Sequence, residues 1–343
     1  MKRTLSLVAV AAGAALALSA CGGAESESKE ESEEQQSAAA ETQADDTEVE
    51  FVIGVSQLVS HPSLDAAVEG FEAAFEDAGI PVTFDIQNAN GDQSVAASIA
   101  GTFNASDTDL VLAVATPSAQ AAAQAITDKP VLFTAVTDPV DAGLVESWEE
   151  PGGNVTGTSD ANPVEAQLEL IKEIVPDAKT IGIIYSPGEA NSLVQVEWAK
   201  EAADKLGFEL KEAPSVTSGD VLQAVESLSD VDAIYVPTDN IVVSSLETVL
   251  QYGETNKIPV FGAEGDSIER GAIATYGLNY FDLGYQTGQM AIEILKEGKV
   301  PEEISVETLE EPSLYINLGA AERMGVEIPE VLIEEADPEN VTE

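Results

Sequence analysis

Asp109-Leu-Val-Leu-Ala-Val-Ala-Thr-Pro-Ser118 and Ala233-Ile-Tyr-Val-Pro-Thr-Asp-Asn240 decide the fold. Each is a short apolar run that ends abruptly in proline, threonine and small polar residues. An apolar run without polar alternation reads as a strand buried on both faces, as in a parallel sheet covered by helices. Working outward from the first run, strands are predicted over 49–56, 82–86 and 130–136, with helices over 62–77, 92–103 and 117–126. Leu64, Val68, Phe71 and Phe75 fall on one helical face. Around the second run the scheme restarts. Helices are predicted over 163–174, 190–206, 220–228, 241–255 and 283–296, and strands over 180–185, 208–216, 259–261 and 272–276. The halves repeat weakly: Asp128-Lys-Pro-Val-Leu-Phe133 resembles Asn256-Lys-Ile-Pro-Val-Phe261. The expected class is α/β, with two Rossmann-like lobes of parallel sheet and a cleft between them. Ligands in such folds sit beyond the carboxyl ends of the strands.

Composition excludes several functions. The 343 residues carry 63 acids and 14 bases, a net charge of −49. Such a field repels nucleic acid and anionic lipid surfaces. With 44% hydrophobic residues the chain is no disordered acidic polymer. Cys21 is the single cysteine and His61 the single histidine, which removes disulfides, Cys-rich metal sites and His-pair zinc sites. The charge divides into +2 over residues 1–20, −10 over 22–50 and −41 over 51–343. An acidic body with few lysines suits a saline habitat, where salt screens the repulsion.

The first twenty residues read as an address. Lys2-Arg3 precedes an apolar stretch, then Leu18-Ser19-Ala20-Cys21, which resembles a bacterial lipobox. The expectation is a signal peptide over 1–20 and lipidation of Cys21, with two or more acyl chains anchoring the protein. Residues 21–48 are the lipidated cysteine and a Glu-, Ser- and Gln-rich tether too polar to bury a core.

Catalytic signatures are missing. Gly152-Gly-Asn-Val-Thr-Gly157-Thr-Ser159 mimics a phosphate loop, but Thr158 stands where a lysine belongs, so it reads as a turn. No GxSxG or GxGxxG pattern occurs. The expectation is no enzyme, no cofactor and no metal. Polar loops at strand ends remain: Ser56-Gln57, Ser60-His61, Thr116-Pro117-Ser118, Thr137-Asp138, Ser186, Asn191-Ser192, Thr238-Asp239-Asn240 and residues 264–266 with Asp266. Hydroxyls, amides and helix N-termini suit a zwitterion, with N–H groups on its carboxylate and Asp239 or Asp138 on its ammonium. Each residue alone also fits helix capping.

Together these loops carry a resemblance. His61-Pro-Ser-Leu-Asp65, Gln87-Asn-Ala-Asn-Gly-Asp-Gln93, Ala115-Thr-Pro-Ser-Ala-Gln-Ala121, Phe133-Thr-Ala-Val-Thr-Asp-Pro139, Pro151-Gly-Gly-Asn-Val-Thr-Gly157, Pro163-Val-Glu165, Glu189-Ala-Asn-Ser192 and Tyr235-Val-Pro-Thr-Asp-Asn240 are similar to the tryptophan-binding-protein-like family. These are ABC-importer substrate-binding lipoproteins of the type I periplasmic-binding-protein fold, and the similarity spans about 51–330. It implies lobes over 49–158 plus about 275–312 and over 159–274 plus about 313–330, followed by an acidic tail over 331–343. It implies hinge crossings near Thr158-Ser159, Ala274-Thr275 and Leu309 to Ser313. The implied ligand is an aromatic amino acid, tryptophan or phenylalanine, with a sugar or nucleoside as the alternative and a non-transport receptor or enzyme after that. It is held by Gln57, His61, Thr116, Pro117, Ser118, Thr137, Asp138, Ser159, Asn191, Ser192, Thr238, Asp239, Asn240 and Asp266. The implied partners are an ABC permease and its ATPase, with the chain a lipid-anchored monomer on the extracytoplasmic face.

Overall fold

The computed structural model describes residues 50–309 and 311–343. The signal stretch, Cys21 and the tether lie outside them. β1 (Phe51–Gln57), β2 (Val82–Asn88), β3 (Leu110–Val114), β4 (Val131–Thr134) and β5 (Val155–Gly157) form a parallel sheet ordered β2-β1-β3-β4-β5. α1 (Pro62–Ala78), α2 (Gln93–Ala105) and α3 (Thr116–Ala125) make its crossovers. After α4 (Val164–Ile174) comes a second parallel sheet, ordered β7-β6-β8-β9. It holds β6 (Thr180–Tyr185), β7 (Glu209–Pro214), β8 (Ala233–Val236) and β9 (Val260–Gly262). Its helices are α5 (Ala190–Leu206), α6 (Val221–Glu226), α7 (Asn240–Val243), α8 (Leu246–Asn256) and α9 (Gly265–Arg270). β10 (Ala274–Gly277) pairs antiparallel with β11 (Ser313–Asn317), and β11 pairs parallel with β12 (Val341–Thr342). α10 (Tyr280–Glu297), α11 (Leu318–Met324) and α12 (Glu330–Glu335) complete the chain.

The two matching sequence runs feed β4 and β9, which hold the same place in their sheets. Buried apolar residues form two cores, one drawn from 53–155 and 280–306, the other from 164–274 and 314–336. α10 therefore belongs with the first sheet. It packs closely on α1, where Gly284 faces Ala67 and Gly70 faces Phe281: a β-carbon at Gly284 would stand 1.9 Å from the Ala67 carbonyl oxygen. That contact fixes the N-termini of both helices at the cleft. In the second lobe Gln167 ties four elements together. Its amide donates to Ala263 O (3.0 Å), Thr275 Oγ1 (3.1 Å) and Tyr276 O (2.7 Å), and its oxygen accepts from buried Tyr235 (2.6 Å).

Four sequence expectations change. The stretch read as a turn holds β5, which pairs with β4 through Val131↔Val155 to Phe133↔Gly157. Three residues beside two glycines carry too little pattern to announce a strand. The helix expected over 241–255 is two helices, interrupted at Ser244-Ser245. The strand β10 runs through Ala274-Thr275, where a crossing was expected, and keeps pairing to Gly277↔Ser313. The acidic tail is folded, since Leu332 and Ala336 enter the second core and β12 extends the third sheet.

Two crossing segments run side by side. Ser159 N donates to Glu307 O (2.8 Å), Glu307 N to Gly157 O (3.1 Å) and Thr308 Oγ1 to Ser159 O (2.9 Å).

Candidate interlobe binding site

Between the lobes lies a cavity of about 300 Å³. From the first lobe come His61, Ser63 and Leu64 at the start of α1, Ala135 and Thr137 after β4, and Tyr280 at the start of α10. From the other side come Asp160, Asn191, Thr238, Asp239, Asn240, Val243 and Glu264. Sequence far apart meets here because parallel strands place all their carboxyl ends on one edge.

The walls differ in charge. Glu189, Asp239 and Glu264 occupy the N-cap positions of α5, α7 and α9 in the second lobe. In the first lobe the N-caps of α1 and α10, the two helices that reach the cavity, are His61 and Asn279, while Asp92 caps α2 at the cleft mouth. Helix N-termini with neutral caps favour an anion, whereas acidic caps favour a cation. No lysine or arginine lines the cavity. Arg270, behind Glu264, is bound to Glu247 at 2.9 and 3.0 Å.

The acids are held rigidly. Asp239 is fully buried and accepts from Ser186 N, Ser192 Oγ (2.6 Å) and Val242 N (2.8 Å). Glu189 accepts from Asn240 Nδ2 (2.5 Å) and Asn191 Nδ2 (3.2 Å). Burial, then repulsion from Asp239, pushes Glu189 up to about 8. Burial also raises Asp239, but its donors and the α7 N-terminus stabilise the carboxylate. Both carboxyls of the pair are thus held above their ordinary range by burial, and Asp239 has the fuller set of donors. Burial and the neighbouring Asp266 push Glu264 up to about 7. Asp160 accepts from Tyr280 Oη (2.6 Å) and Thr137 Oγ1 (2.9 Å), and burial raises it against those bonds. Burial, then Arg270, lowers His61 to about 4, so its imidazole is neutral.

Unpaired buried atoms concentrate at this cleft. The hydroxyls of Ser56, Thr116, Ser118 and Thr238, and Asn191 Oδ1, have no partner, while His61 faces Asn240 and Ser63 faces Asp266. Each orphaned buried polar group costs about 1–3 kcal/mol, so a cluster of them marks a surface made for a polar solute. Ala115 and Ala135 add backbone strain, with φ of 78° and 56° directly after β3 and β4.

Of the sequence-predicted residues, His61, Thr137, Asn191, Thr238, Asp239 and Asn240 line the cavity. Thr116 and Ser118 are buried at the start of α3, and Pro117 lines an open groove at the cleft mouth. Gln57 is engaged within its own lobe, donating to Asp65 (2.6 Å). Ser192 stands behind Asp239, and Ser159 donates to Thr137 O (2.8 Å) in the crossing. Asp138 does not line the cavity; it accepts from Val140 N and Asp141 N, both at 3.0 Å, and caps its own turn. Asp266 lies on a neighbouring groove. Asp160, Ser63 and Tyr280 join the cavity without having been singled out, and 120 residues separate the Asp160–Tyr280 pair. Among the described residues no cluster is placed to hold a metal ion, and no helix is long and apolar enough to cross a membrane.

Two parallel-sheet lobes around a polar cavity define a type I periplasmic-binding-protein architecture. Residues 52–340 match the family model described as ABC transporter substrate binding protein, and the chain belongs to that family. It is 46% identical over 282 residues to the tyrosine-binding protein of Clostridioides difficile (strain R20291), covering 81% of each chain. It is 38% identical to a Streptococcus pneumonia ABC domain solved with L-Trp, with a TM-score of 0.81 over 84% of this chain and 99% of that one. It is 44% identical to the ligand-free, open form of a Clostridium difficile substrate-binding protein with adhesive properties, with a TM-score of 0.64 over 85% and 98%. Shape thus agrees better with the L-Trp complex than with the open form, although identity runs the other way.

Proposed function

We propose that this chain is the extracytoplasmic receptor of an ABC importer, binding one aromatic amino acid between its lobes and delivering it to a permease and its ATPase. The observation that carries the reading is the charge difference between the cavity walls. Neutral helix N-termini and orphaned hydroxyls of the first lobe take the α-carboxylate, and Asp239 in the second takes the ammonium. The ring packs among Leu64, Ala135 and Val243, which line the same cavity. The tyrosine- and L-Trp-binding relatives support this class of solute. Phenylalanine belongs to the same class. Contact with both lobes makes closure the energetic consequence of binding. We further assign 1–20 as a signal peptide and Cys21 as the lipid anchor on the outer face of the cell membrane, and read the chain as a non-catalytic monomer with the hinge crossings given above. The acidic surface, in this reading, reflects a saline or alkaline habitat.

A panel of L-tyrosine, tyramine and 3-(4-hydroxyphenyl)propionate tests the zwitterion site. Only L-tyrosine should raise the melting temperature strongly; equal shifts from all three contradict the two-pole arrangement.

A further inference from the structure

The groove at the cleft mouth holds a contact that the solute site does not use. Gln93, at the start of α2, donates from Nε2 to Gly188 O across the cleft at 2.9 Å. Both residues are exposed, and 95 positions separate them. Sheet order places this bond for leverage. β2, which leads into α2, is one edge of its sheet, and β5, which leads into the crossings, is the other. A bond far from the hinge resists opening more than one beside it.

The donor side is preorganised. Ala89 to Asp92 form a tight turn closed by Asp92 N to Ala89 O (3.0 Å), with Asn90 and Gly91 at φ 52° and 78°. Both central residues in the left-handed region make this a type I′ turn. Asn88 Oδ1 accepts from Asn90 N (2.7 Å), and Asp92 Oδ1 accepts from Ser94 N (2.8 Å), fixing the start of α2. Gly91, at φ 78°, takes the left-handed conformation the turn needs, close to Ile241 of the opposite lobe. On the acceptor side, Gly188 lies just before Glu189 and three residues before Asn191, whose side chains brace Asn240 and Thr238.

We propose that Gln93 is a positioning residue, a clasp whose bond to Gly188 sets the closed fraction of the protein and the residence time of its solute. It goes beyond the solute assignment, because it holds the lobes together whichever solute lies between them. Being an exposed neutral hydrogen bond, it changes rates modestly.

Interlobe distances in the full chain test it. Spin labels are placed at Ser98→Cys on α2 and Gln223→Cys on α6 in a Cys21→Ser background. Gln93→Ala should shift the distribution to longer separations. Gln93→Glu, which removes the donor and sets a carboxylate against the Gly188 carbonyl, should shift it further. Gln93→Lys can donate to the same carbonyl and should restore the parent distribution. Melting temperatures should stay equal, as Gln93 is exposed. With L-tyrosine, Gln93→Ala should speed release about three- to tenfold and leave the association rate unchanged. Identical distributions in all four proteins overturn the clasp. A parent chain that binds no L-tyrosine counts against the solute assignment, and the distances still decide the clasp.

Discussion

Asp239 carries the chemical weight of the site. It lines the cavity, is fully buried beside Glu189, and among the described residues pairs with no lysine or arginine. Asp239→Asn should weaken binding of an aromatic amino acid by about 30-fold or more, as loss of one partner of a buried charge pair does. Unchanged affinity in calorimetry would move the ammonium to Asp160, which lines the cavity where Asp138 does not. Glu189 predicts a pH dependence. Its ordinary value is 4.5 and its folded value about 8, so the folded chain holds this proton more tightly than the unfolded one. Its stabilising share is complete below about pH 4.5 and is lost as pH rises towards about 8. Glu189→Gln should therefore flatten the fall in melting temperature across that window. A parent and variant with parallel pH profiles would contradict the buried, protonated glutamate. Asp239 was named from the sequence as a partner for the ammonium, whereas the burial of Glu189 was not legible there. A glutamate before a helix reads as a cap, and in a chain with 63 acids its burial leaves no mark.

At the scale of elements, the alternation of apolar runs and helical faces was legible because parallel strands are buried on both sides. β6 and α5 fall at the residues their patterns indicated. β5 was hidden by its length, and the break between α7 and α8 by two serines that look like any exposed helical turn. The partnership of Asp160 with Tyr280 was hidden because each sits where the chain changes lobes, and no local pattern joins such positions. The α1–α10 contact makes a prediction at this scale. Gly284→Ala drives a methyl group into the Ala67 carbonyl and should cost about 1–3 kcal/mol. For a chain of this size that lowers the melting temperature by about 2–10 °C. Because α1 carries His61 and Ser63 and α10 carries Tyr280, affinity should fall as well. A variant with parental stability and affinity would show that the two helix starts are positioned independently of this packing.

For the whole molecule, the lipobox makes Cys21 the test of location. Cys21→Ser should abolish incorporation of a labelled fatty acid and release the protein from the membrane fraction; retention of label would contradict the assignment. The two lobes line the cavity from opposite sides, so a solute held there touches both. The negative surface leaves a zwitterion nearly unaffected at long range while repelling anionic solutes. The central claim is that the interlobe cavity binds one aromatic amino acid. Isothermal titration of the purified chain with L-tyrosine, L-tryptophan and L-phenylalanine measures it directly. The account predicts a single saturable site for at least one of the three, lost in Asp239→Asn. No binding of any of them, with tight binding of a sugar or nucleoside instead, would contradict it.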